Sequence, residues 1–236
     1  MSKRDKPKSL TALEVLVVLF VCLFLLAVVE PASQKSRFDA FRFECSKNLS
    51  VIGRAMLLYA NDYNGEFPRS GGRNSTWAHS IPNWRAPNRS IAYGLPSDGR
   101  GGRGSISSCF YLLVKYAEVL PKSFVCPGDA GTTVFNLAEE DAGGKDLIEL
   151  WDFGPEPYKH CSYSYHMPFN LHHLTTSSEP GMAVAADRNP WISSPVGKAK
   201  DMALFNPGGG REAVKAGNAA AHDDEGQNVL FLDGPT

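Results

Sequence analysis

The chain has 236 residues, of which 43% are hydrophobic and 21% charged, and its formal net charge is −1 at pH 7. This length suits one globular domain preceded by a short N-terminal segment. Residues 1–9 carry a net charge of +3, which leaves −4 for the rest of the chain. A mildly acidic chain without a clustered basic face argues against binding to nucleic acid.

A basic leader, residues 1–9, precedes an apolar run from Leu10 to Val29. Twenty residues form about 30 Å of helix, the hydrocarbon thickness of a bilayer, so residues 10–29 are predicted to cross a membrane. The run is longer than the core of most signal peptides, which favours a retained anchor over a cleaved signal. The basic leader should stay in the cytoplasm. We therefore expect a single-pass protein of the inner membrane, with its bulk in the periplasm or at the cell surface.

Glu14 is the one acidic residue within the apolar run. A charge at the centre of a bilayer costs roughly 2.5–3.5 kcal/mol on insertion scales, and no basic residue in the run offsets it. The carboxylate is therefore a candidate functional group that needs a positive partner. The alternative is a glutamate tolerated at the membrane interface.

One long helix is predicted to continue from the apolar run through residues 30–64. Asn64-Gly65 supplies the stop signal, and Pro31 is expected to kink the helix. Beyond residue 40, apolar residues recur at spacings of three and four, which indicates one buried stripe. The stripe consists of Cys45, Leu49, Ile52, Met56, Tyr59 and Tyr63.

Residues 65–236 are predicted to form a globular domain with long loops. Residues 65–107 are rich in glycine, proline and serine, and a short helix follows at 110–119. Short strands are expected near residues 123–127, 162–166, 182–187 and 228–232. A long N-terminal helix followed by short strands predicts an α+β fold with a small antiparallel sheet.

Several motifs together carry a resemblance to a known family. They are Ser9-Leu10-Thr11-Ala12-Leu13-Glu14 before an apolar run, Cys45-x-x-Asn48-Leu49, Tyr59 to Pro68, Phe124 to Asp129, Ala186 to Pro190, and His222 followed by Asp233-Gly234. In these residues the chain resembles type IV pilins and the pseudopilins of type II secretion. More narrowly, it resembles bacterial prepilin-type proteins with an N-terminal cleavage/methylation motif and a C-terminal His…Asp-Gly motif.

The resemblance implies a pilin-like fold, in which the first half of the long helix spans the membrane. It implies that prepilin peptidase cuts between Ser9 and Leu10 and that the new Leu10 amine is methylated. Glu14 of one subunit would then pair with the Leu10 amine of a neighbour. The function implied is that of a structural subunit, assembled with other pilin or pseudopilin subunits into a filament for secretion or a surface role.

The chain has five cysteines, and Cys22 lies inside the apolar run. The other four, Cys45, Cys109, Cys126 and Cys161, could form disulfides in an exported domain or remain buried thiols. Four cysteines allow three connectivities, and the sequence alone leaves these open. The resemblance favours a Cys45–Cys126 pair because both residues lie in its motifs, which leaves Cys109 with Cys161.

Acidic residues near the C-terminus are weak candidates for a calcium site. They are Asp223, Asp224, Glu225 and Asp233. Calcium takes six to eight oxygen ligands, but this spacing matches no known calcium loop, so a solvated acidic turn is favoured. His222 is expected to form a hydrogen bond that closes the turn at Asp233-Gly234. No other metal or cofactor is expected.

The sequence does not favour an enzyme. His166, His172 and His173 lie close together but without a cysteine or carboxylate at metal-ligand spacing, and no hydrolase or metalloprotease motif is present. The competing hypothesis is a membrane-tethered module that binds a glycan or a protein through loops 70–107 and 128–160. Four tryptophans in loop-like segments could stack on sugars or simply pack beneath long loops: Trp77, Trp84, Trp151 and Trp191.

Overall fold

A computed structural model of the chain describes residues 11–169, 173–192 and 200–235, without the side chains of residues 27–33 and 235. The chain divides into two compact units, Met1–Ala40 and Phe41–Thr236. The leader and the junction residues Ser9 and Leu10 lie outside what is described, as does the side chain of Pro31, where a kink was expected. Those expectations stay predictions.

The first helix, α1, comprises Ala12–Asp62. Thr11 and Glu14 form a capping box at its start: the Thr11 N–H donates to Glu14 Oε2 at 2.8 Å, and the Glu14 N–H donates to Thr11 Oγ1 at 3.3 Å. At the other end, the Gly65 N–H donates to the carbonyl of Ala60 at 2.8 Å. Gly65 has a φ of 78°, a left-handed conformation that suits glycine, so the predicted stop signal ends the helix.

The predicted membrane-spanning helix is wrong. Within the described part of the chain, no helix is both long enough and apolar enough to cross a membrane. This finding overturns the predicted fold class, pilin-like α+β with a membrane-spanning first half. It equally overturns the predicted single-pass location in the inner membrane.

The second unit contains a four-stranded antiparallel sheet in the order β3-β4-β5-β6. Its strands are β3 (Tyr163–Tyr165), β4 (Ala183–Asp187), β5 (Val229–Phe231) and β6 (Gly234–Pro235). A separate parallel pair joins β1 (Thr76–Trp77) to β2 (Arg103–Gly104), and the sequence did not indicate it. The strand expected near residues 123–127 is wrong, because a 3-10 helix, Pro121–Phe124, occupies its first part.

The described part of the second unit also contains three short α-helices: α2 (Arg89–Tyr93), α3 (Ile106–Ala117) and α4 (Arg211–Lys215). Helix α3 begins four residues earlier than the expected 110–119. The reason is Ser105, whose hydroxyl accepts a hydrogen bond from the Ser108 N–H at 3.0 Å and caps the helix.

The core of the second unit lies between the sheet, α3 and the stripe of α1. Leu49, Ile52 and Met56 of that stripe are buried, as the spacing of apolar residues predicted. Gly53 allows the close approach of α1 to the sheet, since a Cβ there would lie 2.9 Å from Leu230 Cδ1. The helix therefore packs directly on β5.

Candidate functional site

The first candidate site is the start of α1, residues 11–26, here called the apolar segment. Every large apolar side chain from Leu13 to Leu26 is between 45% and 72% exposed. These side chains occupy all sides of the helix rather than one stripe. A helix that is apolar all round is normally buried, and exposed apolar patches of this kind mark interaction surfaces.

Glu14 is exposed at the start of the apolar segment, and its hydrogen bonds are local. Glu14 Oε2 accepts from the Thr11 N–H at 2.8 Å and from Thr11 Oγ1 at 2.9 Å. These two bonds, the backbone one foremost, lower the pKa of the carboxyl below its usual value. Thr11 is neutral, so the expectation that Glu14 needs a positive partner stays a prediction, but these hydrogen bonds were missed in the sequence analysis. The signal was present in the sequence as Thr11-x-x-Glu14, a capping-box pattern.

The second unit contains one disulfide, which joins Cys45 to Cys126 with a Cα–Cα distance of 5.5 Å. That pair agrees with the resemblance. The expected Cys109–Cys161 pair is wrong, because both are free buried thiols. Burial raises the pKa of Cys109 to about 12 and that of Cys161 to about 11, so both are protonated at neutral pH.

Next to the disulfide lies a buried group that we call the Cys–His–Asp cluster: Cys45, Cys126, His222 and Asp187. Cys126 Sγ is 3.5 Å from His222 Nε2, and His222 Nδ1 is 3.2 Å from Asp187 Oδ2. His222 is 1% exposed and Asp187 3% exposed. The cluster therefore places the imidazole between a sulfur and a carboxylate inside the core.

Four separate parts of the chain supply these residues. Cys45 lies on α1, Cys126 follows the 3-10 helix Pro121–Phe124, Asp187 ends β4, and His222 ends the 3-10 helix Ala220–His222. The backbones around Cys126 and His222 approach closely, since a Cβ on Gly128 would lie 2.2 Å from the backbone oxygen of Ala221. Only glycine permits this contact.

Asn228 fixes the carboxylate of the cluster. Its backbone N–H donates to Asp187 Oδ2 at 2.5 Å, and its Nδ2 donates to the same oxygen at 3.2 Å and to the carbonyl of Arg42 at 2.9 Å. The expected role of His222 in closing the Asp233-Gly234 turn is wrong, because its ring faces Asp187 and Cys126 instead.

No protein-family model, curated protein or solved structure matches this chain. The resemblance to pilins accordingly depends on the motif residues alone.

The acidic residues proposed as calcium ligands are either paired with basic side chains or exposed. Asp224 contacts Lys200, and Glu225 contacts both Arg211 and Lys215. The hydrogen bond from Lys215, followed by its charge and that of Arg211, lowers the pKa of Glu225. Asp223 and Asp233 are exposed. Carboxylates that are paired with lysine and arginine do not offer the set of oxygen ligands that calcium requires.

The tryptophans give limited support to a glycan-binding surface. Trp151 is buried and donates from Nε1 to the carbonyl of Ala86 at 2.9 Å. Trp84 packs edge-on against Phe135, and Trp191 is partly buried. Trp77, which is 51% exposed, is the one of the four with a largely open ring. Three of the four indoles therefore serve packing.

Proposed function

We propose that this protein is a structural subunit that assembles with further copies, or with related pilin-like subunits, through its apolar segment. The observation that carries the proposal is the exposure of large apolar side chains on every side of the helix between Leu13 and Leu26. Burying one such side chain contributes about 1.5–3 kcal/mol, so contacts among several of them would outweigh much of the entropy cost of association.

The distribution of these side chains favours a bundle of several helices over a simple dimer. A two-helix contact buries one narrow stripe of each helix, as in a coiled coil. In the apolar segment, neighbouring positions such as Leu16, Val17, Val18 and Leu19 are all exposed, although they point in different directions. Only neighbours on several sides can cover them, which is the arrangement in the core of a filament.

Glu14 would set the register of this bundle. A buried carboxylate strongly disfavours any arrangement that leaves it unpaired, and pairing therefore selects one alignment of neighbouring helices. The resemblance supplies a partner, the Leu10 amine that cleavage by prepilin peptidase after Ser9 would release. Both junction residues lie outside the described part of the chain, so the cut itself is to be read from the mass of the N-terminal peptide.

Replacing Glu14 by alanine is expected to reduce assembly while leaving the second unit folded. The substitution removes the charge and the carboxylate's hydrogen bonds to Thr11. Glu14→Gln separates the two effects, since the amide oxygen can still accept from Thr11 but carries no charge. Assembly measured by sedimentation should fall for both variants. If Glu14→Gln assembled normally, the proposed pairing of charges would be wrong.

The assembly itself is tested by sedimentation of the full chain. Leu16→Asp combined with Leu23→Asp places two charges on one side of the apolar segment, two helical turns apart, and should convert large assemblies to monomers. The matched control is Met202→Asp with Leu204→Asp, which changes two equally exposed apolar residues of the second unit. Unchanged assembly of the first variant, or equal loss in the control, would contradict the proposal.

A further inference from the structure

Three ligand atoms of the kind that bind zinc meet in the Cys–His–Asp cluster. One atom each from Cys45, Cys126 and His222 lies within 4.8 Å of the others, and all three side chains are buried. We propose that, once the Cys45–Cys126 disulfide is reduced, these residues bind a thiophilic divalent cation, above all zinc, through two thiolates and one imidazole. The inference does not depend on assembly through the apolar segment.

The separations suit a tetrahedral ion. Zinc bonds of about 2.3 Å to sulfur and about 2.0–2.1 Å to nitrogen place a sulfur and a nitrogen on one ion about 3.6 Å apart. The observed distance from Cys126 Sγ to His222 Nε2 is 3.5 Å. The Cα atoms of Cys45 and Cys126 are 5.5 Å apart, and cleavage of the S–S bond lets the two sulfurs separate to about 3.8 Å, their spacing on tetrahedral zinc.

Asp187 would orient the His222 ring from the side opposite the metal. Histidines that bind metals through one ring nitrogen usually direct the other towards a carboxylate, which fixes the tautomer and strengthens the ligand. His222 Nδ1 is 3.2 Å from Asp187 Oδ2, although the two atoms do not form a hydrogen bond in this structure. Among the described residues, neither His222 Nδ1 nor Asp187 Oδ1 has a hydrogen-bond partner. Buried polar atoms rarely lack a hydrogen-bond partner. A metal bound to Nε2 would place the ring proton on Nδ1, facing the Asp187 carboxylate.

The charges balance only in the reduced state. Two thiolates neutralise the double charge of the ion, so the core gains no net charge when the metal enters. In the disulfide, both sulfurs lack the anionic lone pair that zinc prefers. Only the reduced cluster can therefore offer zinc two thiolate ligands.

The chemistry requires an external thiol as reductant. Two thiol molecules transfer two electrons to the disulfide, form their own disulfide and leave Cys45 and Cys126 as thiols. Zinc then displaces one proton from each thiol, so two protons are released for every metal bound. The covalent link between α1 and the segment at Cys126 is thereby replaced by a metal link between the same two residues.

The test is a titration of the full chain with cobalt(II) and then zinc(II), without oxygen, after reduction by a phosphine that is removed by gel filtration. Cobalt bound by two sulfurs should produce a sulfur-to-metal charge-transfer band and the intense visible bands of tetrahedral cobalt, saturating at one ion per chain. Zinc should abolish these bands. The oxidised protein should show neither band, and an equal signal from oxidised protein would overturn the proposal.

Variants separate this site from the other thiols. Cys109→Ser with Cys161→Ser removes two buried thiols outside the cluster and should leave the cobalt spectrum unchanged. Cys126→Ser should abolish the charge-transfer band, and Asp187→Asn should weaken zinc binding about 10- to 100-fold, as for other outer-shell partners. A spectrum that is lost with Cys109 and Cys161 but kept with Cys126→Ser would refute the assignment.

A thermal measurement distinguishes a lack of metal binding from unfolding caused by reduction. Zinc should raise the melting temperature of the reduced wild-type chain, or restore its far-ultraviolet circular dichroism if reduction has unfolded it, because binding to the native state adds to stability. The oxidised chain should not respond. Reduced chain that shows neither a cobalt spectrum nor stabilisation by zinc would overturn the proposal.

Discussion

Loss of the Cys45–Cys126 disulfide is expected to lower the free energy of unfolding by about 4–5 kcal/mol. The two cysteines are 81 residues apart, so the bond closes a long loop in the unfolded chain and removes much of its entropy. The substitution to test is Cys45→Ala with Cys126→Ala. Urea denaturation should be followed in the Leu16→Asp/Leu23→Asp background, so that association does not distort a two-state transition.

The matched control for this prediction is Cys109→Ala with Cys161→Ala. These residues are also buried, but they carry no cross-link, so the control loses only packing and the weak hydrogen bonds of the thiols to Ser70 and Tyr163, on the order of 1–2 kcal/mol for each site. The cross-link matters for the fold because it ties α1 to the segment after Pro121–Phe124. Equal losses of stability in the two double variants would contradict the expected contribution of the disulfide.

Asp152 is expected to make the stability of the second unit fall as the pH rises. The side chain is fully buried. Asp152 Oδ2 accepts from Ser105 Oγ at 2.8 Å and from Ser107 Oγ at 3.2 Å, and Oδ1 accepts from the Phe153 N–H at 2.9 Å. Burial raises its pKa to about 7, although these three hydrogen bonds act in the opposite direction.

Stability falls with rising pH because the folded and unfolded states bind different numbers of protons at Asp152. Between the unfolded pKa of about 4 and the folded value near 7, the folded state holds a proton at Asp152 that the unfolded state has lost, so raising the pH favours unfolding. At about 1.4 kcal/mol per pH unit, the loss across this range is on the order of 4 kcal/mol. The loss is complete above the folded pKa.

Asp152→Asn is expected to remove this dependence on pH. The amide keeps an oxygen that can accept from Ser105 and Ser107 but has no proton to lose. Unfolding free energies measured by urea at pH 4.5, 5.5, 6.5 and 7.5 should fall for the parent chain and change little for the variant. Asp141→Asn alters an exposed carboxylate paired with Arg85 and should keep the slope of the parent. A parent chain that gains stability over this range would show that Asp152 is not the controlling group.

Periodic features of the sequence predicted the local structure well. The spacing of Leu49, Ile52 and Met56 predicted the buried stripe of α1, and Asn64-Gly65 predicted its end, because both signals act within a few residues. The strands near 162–166, 182–187 and 228–232 could be predicted for the same reason. The pairing of β1 with β2 was not, since two residues in each strand carry no recognisable pattern.

The membrane prediction depended on a count from Leu10 to Val29, which reaches the thickness of a bilayer. In the described part of the chain, no helix is both long enough and apolar enough to cross a membrane. Thr11 supplies hydrogen bonds to Glu14 that the sequence analysis did not foresee, although Thr11-x-x-Glu14 is a capping-box pattern. These bonds do not supply the positive charge that the proposed assembly gives to Glu14.

The sequence predicted the Cys–His–Asp cluster only in part: the resemblance paired Cys45 with Cys126, but nothing placed His222 and Asp187 beside them. Cys45, Cys126, Asp187 and His222 belong to four segments, and neither their spacing nor their neighbours resemble a metal or catalytic motif. Their convergence depends on the packing of α1 against the sheet and on the close backbone contact at Gly128. Such information is present only in the tertiary structure.

Oxidative cross-linking at Cys22 is the most direct test of assembly through the apolar segment. Cys22 is exposed there, whereas Cys109 and Cys161 are buried and Cys45 is bonded to Cys126. Mild oxidation of the full chain should join Cys22 of one copy to Cys22 of another, because a disulfide forms only between Cα atoms within about 7 Å. Leu16→Asp with Leu23→Asp should abolish the linked dimer, which peptide mass spectrometry would identify. A chain that stays monomeric under oxidation, or that cross-links equally well with both aspartates present, would contradict assembly through this helix.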